Sequence, residues 1–417
     1  MIWPRALTFF LFPFSGFLPM PITITEHTSW WSRLKSSFFG FLISFVLVIA
    51  GLMLLAWNEH RTLKTFKGLK AAGDTVVTTP ADRVDPAIDG KLVYLSAEVT
   101  SDESVSDPEF GIEAPALVLR RSVEMYQWKE NKRTEEREKL GGGKETTTTF
   151  TYEKVWNDDL IDSGNFQESG HANPSSMPYR DENFSVSDAR LGAWRADDSI
   201  LSALDGQPLS LSEDGEFPDG FWLADGQTLY SGENPKSPQI GDLRVKYSAV
   251  PPQPASVIAQ ADGDGLTAWT SPAQTLVFLV EAGIHDAATL IASAQSSNST
   301  IGWVLRAVGF VLLWIAFSMM LGPLSTLAAV LPPLGRAVGT FTGMIAFALA
   351  AVLASVTIVL SWILVRPLWA VGIVLAIVAA IAMWSRKSAR NASPPAPAPF
   401  MSPPPMGPPP MPPPPPR

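Results

Sequence analysis

No cysteine occurs in the 417-residue chain. Its absence removes disulfide staples, thiol nucleophiles and cysteine metal sites together. Histidine is nearly as scarce: His27, His60, His171 and His285 lie far apart, with no pair at the spacing of a zinc-binding helix. No metal or other cofactor is therefore expected. Basic charge is short where nucleic acid would need it. Segment 58–302 holds 39 of the 40 acidic residues against 21 of the 31 Lys and Arg, a formal −18. Phosphate recognition draws on clustered cations, so nucleic acid is not an expected partner.

Charge is missing altogether from four apolar runs, 38–57, 307–321, 337–364 and 368–384. A hydrocarbon core of ~30 Å is crossed by about 20 such residues in a helix. Ionised groups are costly at its centre and indoles favour its edges. Arg306, Arg336, Arg366 and Arg386 stand where runs begin or end, and Trp57, Trp303, Trp362, Trp369 and Trp384 lie near the same boundaries. These landmarks predict membrane spans at 38–57, 303–322, 338–364 and 367–384, with lipid as the first partner. The expected fold class is an α-helical membrane anchor of four spans, one before and three after an inserted β-rich α+β extracytoplasmic domain at 58–302. Flanking cations tie between the two sides. Long domains often cross regardless of charge, and on that ground 1–37 is read as cytoplasmic and the domain as outside. The stretch before Met20 is apolar and broken by prolines; it reads either as a degenerate signal sequence or, the preferred reading, as lying ahead of a start of translation at Met20.

Period-two alternation marks half-buried strands in the domain. Leu243, Val245, Tyr247 and Ala249 share one face, as do Val93, Leu95, Ala97 and Val99. Further strands are expected around 118–128, 146–156, 256–260 and 275–280. Gly141, Gly142 and Gly143 divide a charged stretch from a threonine run, which predicts a long hairpin with a mobile tip. Asp262 to Gly265 reads as a tight turn, since Gln260 and Ser271 would stand where a calcium loop needs carboxylates. Residues 285–300 can form a helix leading into the second span, with Leu290, Ile291 and Ala294 as its apolar stripe.

Gly339 and Gly343 form a GxxxG pair that Ala346, Ala350 and Ala354 extend. Such stripes let helices approach closely, either within one chain or between copies. The tail, 385–417, ends in 15 prolines over its last 24 residues. It is read as disordered or polyproline II, open to a proline-recognition partner or to none. His171 with nearby carboxylates suggests acid/base chemistry, but no nucleophile or metal pattern accompanies it, so no enzyme is expected.

An ordered series of motifs resembles the transmembrane protein 43 family, also called LUMA. It opens with WNEHR, containing Asn58, Glu59 and Arg61, where His60 replaces the family's usual glycine. It continues through SVEMYQW with Glu124, Tyr126 and Trp128, then GHANP with Gly170, His171, Asn173 and Pro174. GENPK follows with Glu233, Asn234, Pro235 and Lys236, then Gly241 and Asp242, and lastly RPLW with Arg366, Pro367 and Trp369. On residues alone, the first triad reads as one face of a strand and the Asn-Pro pairs as turns. The resemblance implies four spans with a large lumenal loop. It also implies eukaryotic relatives of the endoplasmic reticulum and inner nuclear membrane, with lamins and emerin as partners. The missing cysteine, the bare proline tail and the compact plan point to a bacterial member, with the domain in the periplasm. The expected function is a non-enzymatic oligomeric scaffold for unidentified membrane or extracytoplasmic proteins. The alternatives are a channel or transporter, for which the spans offer only Ser44, Ser318, Thr340, Thr342, Ser355, Thr357 and Ser361 as polar groups, or a tethered ligand-binding sensor.

Overall fold

A computed structural model describes residues 22–213 and 215–365. The chain opens with strand β1, Ile22–Thr28, and helix α1, Trp30–Thr75, whose first turn is capped by the Ser29 hydroxyl. The domain follows, built on β2 (Leu92–Thr100), β3 (Val118–Glu138), β4 (Lys144–Asn157), β5 (Thr228–Tyr230), β6 (Leu243–Val250), β7 (Gln253–Asp262) and β8 (Leu279–Ala282). Helices α2, Ala287–Ala328, and α3, Pro332–Val365, complete the described chain.

Two mainly antiparallel sheets face each other. One runs β1–β4–β3–β6–β5, and the other contains β2–β7–β8. The alternation in the sequence explains the layer between them: Val93 and Leu95 of β2 and Val257 and Ala259 of β7 join Val123 and Met125 of β3 and Val245 and Tyr247 of β6 in one buried core. Strand β7 is apolar on both faces for a second reason. Its Ile258, with Leu92 of β2, packs against Leu69 and Ala72 of α1 and Leu290 and Ile291 of α2. The membrane helices therefore run without a break into the domain, forming a third layer behind the second sheet.

Helices α1, α2 and α3 are each long and apolar enough to cross a membrane, and they are the three such helices among the described residues. All overrun their expected spans. Helix α1 continues for 18 residues beyond Trp57, because its later turns still bury Gly68, Leu69 and Ala72. The helix expected at 285–300 is present as the first turns of α2, capped by Asp286. The fourth run at 367–384, with Arg366, Pro367 and Trp369, the tail 385–417 and the stretch around Met20 lie outside the described residues.

One expectation is revised, and two stretches make contacts that the sequence did not show. The strand at 275–280 is interrupted at Phe278, which leaves Leu276–Val277 and β8 in different sheets. The long hairpin expected around 141–143 is present, and its tip is in contact with α1 and the turn after α2. Trp30 lies against Gly142, Arg33 donates to the Gly142 carbonyl (2.7 Å) and pairs with Glu138 (3.0 Å), and the Gly141 amide donates to the Val330 carbonyl (3.1 Å). The stretch before the first span contains β1, which the sequence reading did not mark and which pairs residue for residue with β4 from Ile22↔Phe150 to Thr28↔Lys144.

Candidate functional site

The family-like motifs converge on two places. The first is the outward face of β3. Val123, Met125 and Gln127 point inward and are buried, so Glu124, Tyr126 and Trp128 point outward and are half-covered by two loops. Those loops carry the other motifs. Where β6 ends opposite Met125, its hydrogen-bonding role on the edge of β3 is continued by Asp242 and Gly241: the Tyr126 amide donates to the Asp242 carbonyl (2.8 Å), and the Gly241 amide to the Tyr126 carbonyl (2.9 Å). Asn173 takes the next position. Its Oδ1 accepts from the Trp128 amide (2.7 Å), while its Nδ2 donates to the carbonyls of Trp128 (2.9 Å) and Ile161 (3.1 Å). One carboxamide thus satisfies a strand edge that has run out of strand. Gly241 has φ +98°, and a Cβ there would stand 3.3 Å from Pro174, so the two motifs also touch.

Around this seam the outward side chains interlock. Glu124 pairs with Arg244, whose guanidinium lies 4.5 Å over the Trp156 ring, and Tyr126 is 5.1 Å from the same ring. Trp156 leads to Tyr230, whose hydroxyl donates to Asp242 and to the Asn234 carbonyl. Burial and the Asp242 carboxylate both push the Tyr230 phenol far above its ordinary pKa. Asp242 also accepts from the Gln239 amide (2.8 Å), closing the loop that holds Glu233, Asn234, Pro235 and Lys236. Asn234 turns that loop, with its side chain accepting from the Lys236 amide (3.0 Å), while these four residues stay exposed.

His171 sits beside the seam, stacked on Tyr152 at 4.0 Å and edge-on to Trp128 at 4.5 Å. Its Nδ1 and the Glu168 Oε2, 3.9 Å apart, are both buried without a hydrogen-bond partner. Tyr152 donates to Glu130 (2.6 Å), and burial followed by that bond raises its pKa. The turn before His171 needs Gly170, whose φ of +104° strains any side chain. Among the described residues no group of three or more His, Asp or Glu is placed to hold a metal.

The second place is the membrane edge. Glu59 of α1 receives a two-pronged bond from Arg306 of α2, Nε at 2.6 Å and Nη2 at 2.9 Å. Asn58 donates to the Gly302 carbonyl (3.0 Å), and Asn298 donates to the Thr62 carbonyl (2.9 Å). Arg61 reaches Thr62 at 3.4 Å. Glycines bring the helices this close: a Cβ on Gly309 would stand 2.6 Å from Leu55, and one on Gly302 3.1 Å from Thr62. The stripe on α3 divides. Ala346, Ala350 and Ala354 are buried within the chain, and the last two pack with Leu55 and Leu313. A Cβ on Gly339 or Gly343 would meet nothing within 4 Å among the described residues.

Residues outside the predicted set matter as much. Arg121 is buried and bonded to Asp107 (2.7 Å) and Glu182 (2.8 Å), while Tyr247 donates to the same Asp107 (2.7 Å). Burial opposes the charge of Arg121, but Asp107 outweighs it and the pKa is raised; burial and Asp107 likewise raise that of Tyr247. The available signal was parity, because Arg121 occupies an inward position between Leu119 and Val123.

Comparison with known proteins accords with the motif series. The sequence profile described as Transmembrane protein 43 matches residues 125–367. Transmembrane protein 43 of rat is 30% identical over 363 residues, covering 84% of this chain and 90% of the relative. The human protein of that name is 31% identical over 352 residues, covering 81% and 87%. The fruit-fly homolog is 27% identical over 342 residues, covering 78% and 89%. None of these names is an enzyme's. No solved structure matches the chain.

Proposed function

The chain belongs to the transmembrane protein 43 family, and from that premise we propose that it is a non-enzymatic organiser of membrane-associated complexes. It works as a homo-oligomer whose β-rich extracytoplasmic domain is the platform for other membrane or extracytoplasmic proteins. We place it in a bacterial inner membrane with that domain in the periplasm. The observation that carries this reading is how the motif residues are employed. Asn173, Gly241, Asp242 and Tyr126 hold two loops to one strand edge, and Asn58 and Glu59 clamp α1 to α2. Residues committed in this way stiffen a surface and tie it to the membrane. The exposed loop with Glu233, Pro235 and Lys236 then sits on a rigid support, as a docking surface requires.

Proximity labelling in the native host tests this, with the labelling enzyme fused into the domain and a control fusion on the proline tail. Reproducible protein neighbours specific to the domain fusion are expected. A domain whose only neighbour is its own chain would overturn the platform reading and favour a self-contained oligomer, to be assayed for ion flux.

A further inference from the structure

Between the membrane edge and the domain, α1 and α2 form a two-helix stalk whose charge is one-sided. Past Trp57, α1 carries Arg61, Lys64, Lys67 and Lys70 against a single acid, Asp74. The facing turns of α2, 285–302, hold no Lys or Arg and one acid, Asp286, which caps the helix. The short strands beside α1 at Gly68, Trp269–Thr270 and Leu276–Val277, are uncharged, as is the turn that joins them. Positive charge is thus gathered on one helix within a segment, 58–302, that is formally −18.

Helical spacing puts Lys64 and Lys67 on the side of α1 opposite Asn58, Thr62 and Leu69, with Arg61 at its flank. Trp57, one turn before Arg61, is 55% exposed, and with Trp303 at 66% it marks the membrane edge. At 1.5 Å per residue, Arg61 stands about 6 Å and Lys64 about 10 Å beyond Trp57. The polar layer of a leaflet is about 5–8 Å deep. Lys67, about 15 Å out, has a flexible stem that can bend toward that layer. Neighbouring cations are already paired: Arg306 with Glu59, and Lys70 with Asp74 at 3.1 Å. Among the described residues no ion pair involves Arg61, Lys64 or Lys67. Arg61 reaches only the Thr62 hydroxyl at 3.4 Å, and its Nε is buried without an acceptor.

We propose that Arg61, Lys64 and Lys67 bind the phosphate groups of anionic phospholipids in the leaflet beside the domain. Phosphate oxygens at that level supply the acceptors that the chain does not, and a guanidinium takes them in pairs. Each cation near an anionic bilayer surface strengthens attraction about fivefold. The stalk then collects anionic lipid around α1 while the acidic domain stands clear of the same surface. The inference is independent of the scaffold reading, which concerns the exposed loop around Pro235.

The test uses full-length protein reconstituted in phosphatidylcholine bilayers with a trace of spin-labelled phosphatidylglycerol or spin-labelled phosphatidylcholine. The fraction of each label held at the protein is measured. At low salt the protein is expected to retain phosphatidylglycerol about fivefold or more over phosphatidylcholine, and high salt should shrink that preference. Arg61→Gln/Lys64→Gln/Lys67→Gln should lose most of it, and Lys64→Arg/Lys67→Arg should keep it. Lys70→Gln, whose cation is already paired with Asp74, should leave it unchanged. If the triple variant does not fold, Lys64→Gln and Lys67→Gln alone carry the test, each with a partial loss. Equal retention of the two lipids by the unaltered protein overturns the proposal. A preference undiminished in the glutamine variants also overturns it, because the phosphatidylglycerol would then sit on other cations, such as Lys35 at the opposite edge.

Discussion

Asn173 shows how much one side chain can hold. Its carboxamide satisfies a donor and an acceptor of Trp128 and the carbonyl of Ile161. Replacing it with Ala strands those groups, and each orphaned buried group costs ~1–3 kcal/mol. Asn173→Ala is expected to lower domain stability by about 2–4 kcal/mol in denaturant unfolding. Pro174→Ala should have a much smaller effect, since it leaves the Asn173 carboxamide bonds in place. Tyr230 and Tyr247 make a second prediction. Both phenols titrate higher in the folded chain than the ordinary value near 10. A raised pKa means the folded state keeps its proton longer, so the stabilisation is complete below about pH 10 and is lost as pH rises through the folded value. Stability should fall steeply above about pH 10, and Tyr230→Phe with Tyr247→Phe should flatten that limb in alkaline unfolding curves. The sequence showed Tyr247 as an inward residue but hid its hydroxyl's partner. Asp107 lies 140 residues away, and no periodicity links two positions at that separation.

At the scale of elements, alternation and apolar length were readable because each is set by local geometry: period two for a sheet with one buried face, and 20 uncharged residues for a span. The seam on β3 was readable only as separate motifs, since its closure depends on where two loops return. The α1–α2 clamp was half-readable. Arg306 marked a membrane boundary, while its partner Glu59 belonged to a motif without an assigned contact. Glu59→Ala leaves a largely buried guanidinium unpaired and is expected to cost about 3–5 kcal/mol, read as earlier thermal unfolding in detergent. A double change of Glu59 and Arg306 to Leu and Met should recover most of that loss. The glycines of α3 behave differently from the alanines below them. A β-carbon at Gly339 or Gly343 meets no described residue, so Gly339→Ile with Gly343→Ile should change the stability of the described bundle little, and a loss of assembly in size-exclusion chromatography would locate an interface between copies. Ala350→Leu, at a fully buried site, should instead disrupt the helix bundle itself.

At the scale of the whole molecule, the apolar core depends on different parts of the chain from the arm, the hairpin end from Asn131↔Thr151 to Glu138↔Lys144 that β1 flanks. The core between the two sheets is drawn entirely from residues after 80 and before 283. The arm has no apolar layer of its own: threonines and charges occupy both faces of β4 between Lys144 and Thr149, and its order rests on β1, Trp30, Arg33 and the turn after α2. Removing residues 22–33 from the otherwise intact chain should therefore loosen the arm and spare the core. Hydrogen exchange on the purified protein is the suitable measurement, because it reports local opening segment by segment. Amides of 132–138 and 144–150 are expected to exchange much faster in the truncated chain, with β2, β6 and β7 unchanged. Equal protection of the arm in both forms would mean that the hairpin stands by itself, and the contacts of the amino-terminal strand would then be a consequence of its order rather than its cause.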